Sequence, residues 1–193
     1  MKSMRKSTCG LPGRVLCALA AAIVIGGCAS GPSGGLPAST RVVQPSIYGR
    51  WSASDRSVVT ITEGGCDSMV IESTSGSEKR TMTGYVVEID GQRVTEVCVY
   101  RPDAAAKEKN AAPVFDYGQI AIKGDTLTYR PLRVEWLKDA AGTSGGVYVD
   151  ASRAEKGAGG AVVKDAVAMQ DLIRRALHDP RAFGDPMVFT RVK

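Results

Sequence analysis

The chain has 193 residues and a formal net charge of +5, from 25 lysines and arginines against 20 acidic residues. Four of the basic residues and none of the acidic ones lie in residues 1–27, so the rest of the chain carries 21 − 20, a charge of +1. A chain this close to neutrality lacks the clustered basic face that nucleic-acid binding needs, and nucleic acid is not an expected partner. The remaining length, about 165 residues, is enough for one domain with its own core.

The first 28 residues have the three parts of a bacterial export signal. Basic residues precede an uncharged apolar run from Val15 to Ile25, and Gly26-Gly27-Cys28 follows that run. The run is shorter than the roughly 20 residues that span a bilayer, which favours a cleaved signal over a membrane helix. The stretch Val24–Cys28 resembles the lipobox of bacterial lipoprotein precursors. This resemblance implies a signal peptide over 1–27 and a lipidated Cys28 that carries acyl chains such as palmitate; a secretory signal with a chance cysteine is the alternative.

Residues 28–46 are predicted to be the lipidated N-terminus and a flexible tether. They are rich in glycine, proline and serine, and such a composition buries too little apolar surface to fold alone. In lipoproteins of two-membrane bacteria, an aspartate directly after the lipidated cysteine often favours retention in the inner membrane, and here that position is Ala29. The resemblance therefore implies a protein anchored in the outer membrane and facing the periplasm.

Residues 47–193 are predicted to form one mainly β domain. Apolar and polar residues alternate along several runs, which is typical of half-buried antiparallel strands. Asp90-Gly91 and Gly124-Asp125 separate such runs and fit hairpin turns. We predict strands near 47–52, 57–63, 67–72, 80–90, 93–101, 117–123, 125–130, 132–137, 146–150 and 187–192.

One helix is predicted near 161–178, before the last strand. Its apolar residues fall at spacings of three and four, which places them on one helix face, and Asp179-Pro180 ends the pattern. We expect this face to pack against the sheet, with a partner protein or a membrane surface as the alternative. The predicted fold class is an antiparallel β-barrel-like domain of about 8–10 strands with one C-terminal α-helix.

Two short motifs lie at the ends of the predicted domain. Gly49-Arg50-Trp51 opens the first strand, and Phe189-Thr190-Arg191 lies on the last. The pair resembles the lipocalins, in which Gly-x-Trp lies on the first barrel strand and an arginine of the last strand packs over the indole. The resemblance implies that Gly49, Trp51 and Arg191 close one end of a barrel, with a cation–π contact of about 0.5–2 kcal/mol. Because the predicted helix precedes the last strand, whereas lipocalin helices follow the barrel, we expect a lipocalin-like barrel outside the family itself.

Cys66 and Cys98 are the cysteines that remain after the lipidated one. The periplasm permits disulfides, and a bridge between these two would close a loop of about 33 residues, worth roughly 3–4 kcal/mol. We expect a structural disulfide, with two free buried thiols as the alternative. A redox pair is disfavoured because the chain has no Cys-x-x-Cys spacing.

The sequence offers little for catalysis. Gly142–Gly146 resembles the nucleophile segment of trypsin-like serine proteases, but the single histidine, His178, follows Ser144 instead of preceding it. The glycines of 157–160 lack the lysine and hydroxyl of a phosphate-binding loop. We therefore expect no catalytic residues and no cofactor.

Acidic residues and metal ligands are also sparse. Glu88, Asp90 and Glu96 could form an acidic patch across a hairpin, although solvated strand faces usually have this composition. One histidine and no cysteine cluster leave no set with metal-ligand spacing, so no metal site is expected.

The two resemblances together imply a non-catalytic, lipid-anchored protein of the cell envelope. Lipocalin-like barrels bind small apolar ligands, and a barrel of about eight strands can hold one such molecule. Tyr85, Tyr129 and Trp136 are predicted to point into the barrel, where they would fill the interior or line a pocket. The alternative is an interaction or inhibitor module that contacts another envelope protein.

Overall fold

A computed structural model describes residues 35–99, 113–142, 146–150 and 160–193. The predicted export signal and Cys28 lie outside these residues, as does Ser144. The described strands are β1 Gly49–Ala53, β2 Val58–Glu63, β3 Met69–Ser75, β4 Glu78–Ile89, β5 Gln92–Val99, β6 Val114–Lys123, β7 Thr126–Pro131, β8 Val147–Asp150, β9 Gly160–Val163 and β10 Met187–Arg191. The described helices are α1 Val134–Ala141, α2 Ala166–His178, and two 3-10 helices, Ala38–Thr40 and Pro45–Ile47.

Eight of these strands close into an antiparallel barrel. Their order is β5-β4-β3-β2-β1-β10-β7-β6, and β6 pairs back to β5. The β8–β9 hairpin extends the sheet from the first residues of β6, on the side where β7 does not reach. There Phe115 pairs with Ala161 of β9. The predicted antiparallel barrel is therefore confirmed, and so is a helix before the last strand, because α2 precedes β10.

Hairpin turns join most neighbouring barrel strands. Asp90 and Gly91 both have positive φ, 51° and 74°, between β4 and β5. This left-handed pair is what a type I′ turn requires, and its twist matches that of the flanking strands. Gly124 has the same backbone region, with φ 57°, between β6 and β7. The two turns predicted from sequence lie where they were expected.

Two helix boundaries differ from the prediction. The strand predicted over 132–137 is wrong, because α1 begins at Val134 and buries Val134, Leu137 and Ala141 on one face. The helix predicted from 161 begins only at Ala166, since 160–163 form β9. Asp165 fixes that start by accepting hydrogen bonds from the backbone N–H groups of the first turn.

The sheet carries a hydrophobic core on each face. The inner core fills part of the barrel with Ile47, Trp51, Ile61, Met69, Ile71, Val86, Ile120, Leu127 and Phe189. The outer core lies between the outer face of β4, β5 and β6 and the two α-helices. Its largest members include Tyr85, Phe115, Tyr117, Leu137, Met169, Leu172, Ile173 and Phe183.

The described part of the predicted tether packs on the barrel. Leu36 is buried in the outer core, and Ile47 is buried in the inner one. Between them, Arg41 forms a β-bridge with Val87, and the Val42 N–H donates to the Val86 carbonyl at 2.9 Å. The prediction of a flexible tether is therefore wrong for residues 35–46, because a few apolar residues and the open edge of β4 hold them.

Candidate ligand-binding cavity

One end of the barrel is closed by Trp51 and Arg191. Cζ of Arg191 lies 4.1 Å from the centroid of the fully buried Trp51 ring. The indole Nε1 donates to the Ile47 carbonyl at 2.8 Å, which holds the 3-10 helix Pro45–Ile47 across the barrel end. The structure thus brings together Trp51 and Arg191, two of the three residues expected to close the barrel.

Gly49, the third of these residues, lies against the same arginine. It has φ 137°, and a side chain there would collide with the Arg191 guanidinium. That guanidinium donates from Nη1 to the Tyr48 carbonyl and from Nη2 to the Ser46 carbonyl, both at 2.7 Å. Glycine is required at position 49 because the arginine must pass it to reach these carbonyls.

Inside the barrel the inner core leaves a cavity of about 280 Å³. Its wall is mainly aliphatic and aromatic. The lining residues are Ile47, Ser57, Val59, Ile61, Met69, Ile71, Ser73, Met82, Thr95, Val97, Asp116, Ile120, Leu127, Tyr129, Met187 and Phe189. Met187 is 46% exposed and lies at the opposite end of β10 from Arg191, so we infer that the cavity opens at the end away from Trp51.

Three polar side chains lie on the wall formed by β5, β6 and β7. They are Thr95, Asp116 and Tyr129. Thr95 is satisfied by donating to the Gly118 carbonyl at 3.2 Å. The Tyr129 ring lies over Gly118, where any side chain would overlap it.

Asp116 is the one ionisable acid among the described residues that line the cavity. Burial raises the pKa of Tyr129, and the Asp116 carboxylate raises it further, so the phenol stays protonated and can donate. None of the described residues that line the cavity is a lysine or an arginine. The cavity is therefore an apolar chamber with one carboxylate and one phenol on a single wall.

A second carboxylate, Glu96, is buried on the other face of the sheet. Its side chain is 0% exposed and accepts hydrogen bonds from the Leu36 N–H and, at 3.3 Å, from the Tyr117 hydroxyl. Arg41 lies 3.9 Å from Oε1 and stacks over the Tyr85 ring at 3.6 Å. Burial raises the pKa of Glu96, and these three polar neighbours oppose that shift.

The predicted acidic patch is thus not formed. Glu88 is exposed and pairs with Arg93 at 3.5 Å, and Asp90 pairs with Arg174 at 3.2 Å. Glu96 is the exception, and its sequence neighbours signalled it. Val94 and Cys98 share its strand face, so the carboxylate lies in an apolar row.

The predicted disulfide between Cys66 and Cys98 is wrong, because Cys98 carries a free thiol. Cys66 lies in the turn between β2 and β3, whereas Cys98 lies within β5. Strand β4 separates β5 from β3 in the sheet. Two strand spacings amount to about 10 Å, beyond the roughly 7 Å between Cα atoms that a disulfide tolerates. Burial and the carboxylates of Glu96 and Asp116 raise the pKa of the Cys98 thiol.

The three aromatic residues predicted to point inward go to different places. Tyr129 lines the cavity, but Tyr85 lies in the outer core, beneath Arg41. Trp136 is on α1, and its Nε1 donates to Asp179 at 2.9 Å. The hydrogen bonds from Arg181 and, after them, this bond from Trp136 lower the pKa of Asp179.

Within the described residues, no group of three or more histidine, cysteine or acidic residues is arranged to hold a metal ion. No helix of that part of the chain is long and apolar enough to cross a membrane.

Comparison with known proteins adds no relative. The chain matches no protein-family model, and neither curated proteins nor solved structures give a match.

Proposed function

We propose that the barrel binds one small, mostly apolar molecule and that the protein is held at the cell envelope by lipid on Cys28. The observation that carries the first part is the mainly apolar cavity of about 280 Å³ inside the barrel. Protein interiors are normally packed as densely as organic crystals, so an apolar space of this size is uncommon. Ligand pockets share its character, with an apolar wall and a few polar groups.

The cavity volume sets the size of the ligand. A water molecule in the liquid occupies about 30 Å³, and a small heavy-atom group takes a similar space. The cavity therefore holds roughly nine such groups. This fits a short alkyl chain or one substituted ring. Burial of that much apolar surface supplies most of the binding free energy, at about 25 cal/mol per Å².

The envelope part rests on the sequence around Cys28 and on the docked N-terminal segment. Six residues separate Cys28 from Gly35, where the described chain begins, so their Cα atoms are seven chain steps apart. An extended chain of seven steps reaches at most about 25 Å. A lipid on Cys28 would therefore hold the barrel close to the membrane surface, where apolar molecules concentrate.

Blocking the cavity tests the binding proposal. Ser73 lines the cavity and Thr74 next to it is exposed, so Ser73→Trp fills the chamber while Thr74→Trp adds the same ring outside. We expect calorimetry with 1-octanol to show one saturable site in the wild type and in Thr74→Trp, and none in Ser73→Trp. Equal binding by all three proteins would place the octanol elsewhere, and no binding by the wild type would refute the proposal.

Removing the lipid site tests the anchor. We expect Cys28→Ser to move the protein from the membrane fraction to the soluble fraction, since the acyl chains would be lost. Cys98→Ser is the matched control and should stay with the membrane. If Cys28→Ser fractionates with the membrane as tightly as the wild type, the anchor proposal fails.

A further inference from the structure

The cavity wall changes in character from the closed end of the barrel to the open end. Ile47 lines the closed end, where the Trp51 indole donates to its carbonyl. Tyr129 pairs with Met187, whose side chain is half exposed at the open end, so the Tyr129 ring lies in the outer half of the cavity. A ligand with one polar end would therefore place its apolar end towards Trp51. This inference rests on the binding function proposed above.

The hydroxyl of Tyr129 is a hydrogen-bond donor that faces this space. In the described part of the chain it makes no hydrogen bond, and Asp116 acts on it through charge alone. The ring is held in place because it packs over Gly118, where even a Cβ atom would overlap it. Burial and the nearby charge raise the pKa of the phenol, so it keeps its proton at physiological pH. A buried tyrosine hydroxyl usually has a partner, and here the cavity is the space from which one can come.

The other hydroxyl groups of the wall are less suitable donors. Thr95 already donates to the Gly118 carbonyl at 3.2 Å. The Ser57 hydroxyl bonds to the Asp55 carboxylate. Ser73 lies near the end of β3, at the open end of the barrel. Tyr129 is thus the fixed donor that a ligand meets inside the cavity.

We infer that the ligand is a neutral molecule with one acceptor oxygen, a carbonyl or ether group, which accepts a hydrogen bond from the Tyr129 hydroxyl while its apolar body extends towards Ile47. A ligand without oxygen would leave the phenol buried and unpaired, which costs free energy. An anion would need a buried counter-charge, and none of the described residues that line the cavity is a lysine or an arginine.

Three aromatic probes of nearly equal size and shape separate the ligand classes. Acetophenone carries a carbonyl oxygen, cumene has a methyl group in its place, and benzoate is an anion at pH 7, because carboxyl groups have pKa values of about 4. We expect calorimetry to show that the wild type binds acetophenone and cumene at one site. Benzoate should bind at least about tenfold more weakly than acetophenone.

A matched pair of variants assigns the hydrogen bond. Tyr129→Phe keeps the ring and removes the hydroxyl, so it should weaken acetophenone binding at least about fivefold without weakening cumene binding. Tyr148→Phe removes an exposed phenol from β8, outside the cavity, and should bind all three probes as the wild type does.

Infrared spectroscopy gives a second measurement that needs no variant. The carbonyl stretch of acetophenone, isotope-labelled at the carbonyl carbon, should lie at lower frequency when bound to the wild type than in an alkane solvent, as a hydrogen-bonded carbonyl does. A bound carbonyl that stays at its alkane frequency would overturn the inference, even if Tyr129→Phe does not fold.

The outcomes separate this inference from the binding proposal. If cumene binds the wild type but acetophenone does not, or if Tyr129→Phe binds acetophenone as tightly as the wild type, the inference is refuted while the apolar cavity stands. Benzoate binding as tight as that of acetophenone would refute the neutral ligand class. If acetophenone, cumene and 1-octanol all fail to bind the wild type, the binding proposal and this inference both fail.

Discussion

The two faces of the barrel sheet are built from similar residues but packed differently. The outer face of β4–β6 is covered by both α-helices and by the N-terminal segment, and the residues of its core are buried. The inner face encloses a cavity of about 280 Å³. Each face also holds one carboxylate, Glu96 outside and Asp116 inside, on the neighbouring strands β5 and β6.

The two carboxylates differ in the space around them. The backbone at Gly35 lies so close to Glu96 that any side chain there would overlap the carboxylate. Glu96 is thus surrounded by protein, and it ties the N-terminal segment to the barrel. Asp116 faces a chamber large enough for a ligand. This contrast supports a structural role for the outer face and the binding role that we propose for the inner face.

The largest expected effect compares the closed and open ends of the barrel. Trp51→Ala removes a fully buried ring, its hydrogen bond to Ile47 and the contact with Arg191. It should lower the free energy of unfolding by about 3–5 kcal/mol. Met187→Ala at the open end should cost less than about 1 kcal/mol, because that side chain is already 46% exposed. Urea denaturation measures both, and equal losses would mean that the two ends do not differ.

A smaller effect compares the packing of the two faces with a single methylene group. Val87 is 0% exposed in the outer core, whereas Val59 lines the cavity. Val87→Ile should lower the free energy of unfolding by about 1–3 kcal/mol through overpacking. Val59→Ile should change it by less than about 0.5 kcal/mol or raise it, because the added group enters open space. If Val59→Ile is the more destabilising of the two, the cavity is not open in solution.

The smallest effect is a pH dependence that belongs to the outer face. Burial raises the pKa of Glu96 in the folded protein above its ordinary value of 4.5. The folded state then binds more protons than the unfolded state between these two pKa values, so stability falls as pH rises from 4.5 through the folded pKa.

The variant Glu96→Gln removes this titration and keeps the shape of the side chain. The unfolding free energy of the wild type minus that of Glu96→Gln should fall with rising pH. The subtraction isolates Glu96, because Arg41 and the other charged groups are common to both proteins. A difference that rises with pH over the same range would show that Arg41 and the Leu36 N–H outweigh burial.

The sequence predicted those parts of the fold that depend on local periodicity. The alternation of apolar and polar residues and the Asp90-Gly91 turn were sufficient to predict the positions of most barrel strands, because both are local signals. The alternation of Leu132, Val134 and Trp136 was misleading, since positions 134, 137 and 141 also form a helical stripe, and packing against the sheet selected the helix.

The site was less predictable because it depends on distant parts of the chain. The Gly49, Trp51 and Arg191 contact followed from a family resemblance. The buried state of Glu96 arises from docking of the segment that begins at Gly35, which is 61 positions away. The cavity depends on how completely side chains from eight strands fill the barrel, and no local pattern reports that volume.

The most direct test of the central claim is the native mass of the protein, measured as purified from its source cells and after loading with 1-octanol. We predict one extra mass per chain in the wild type, extractable into organic solvent, and its absence from Ser73→Trp. A wild-type protein that stays unliganded under both conditions, or a Ser73→Trp variant that keeps the same extra mass, would contradict a ligand-binding barrel.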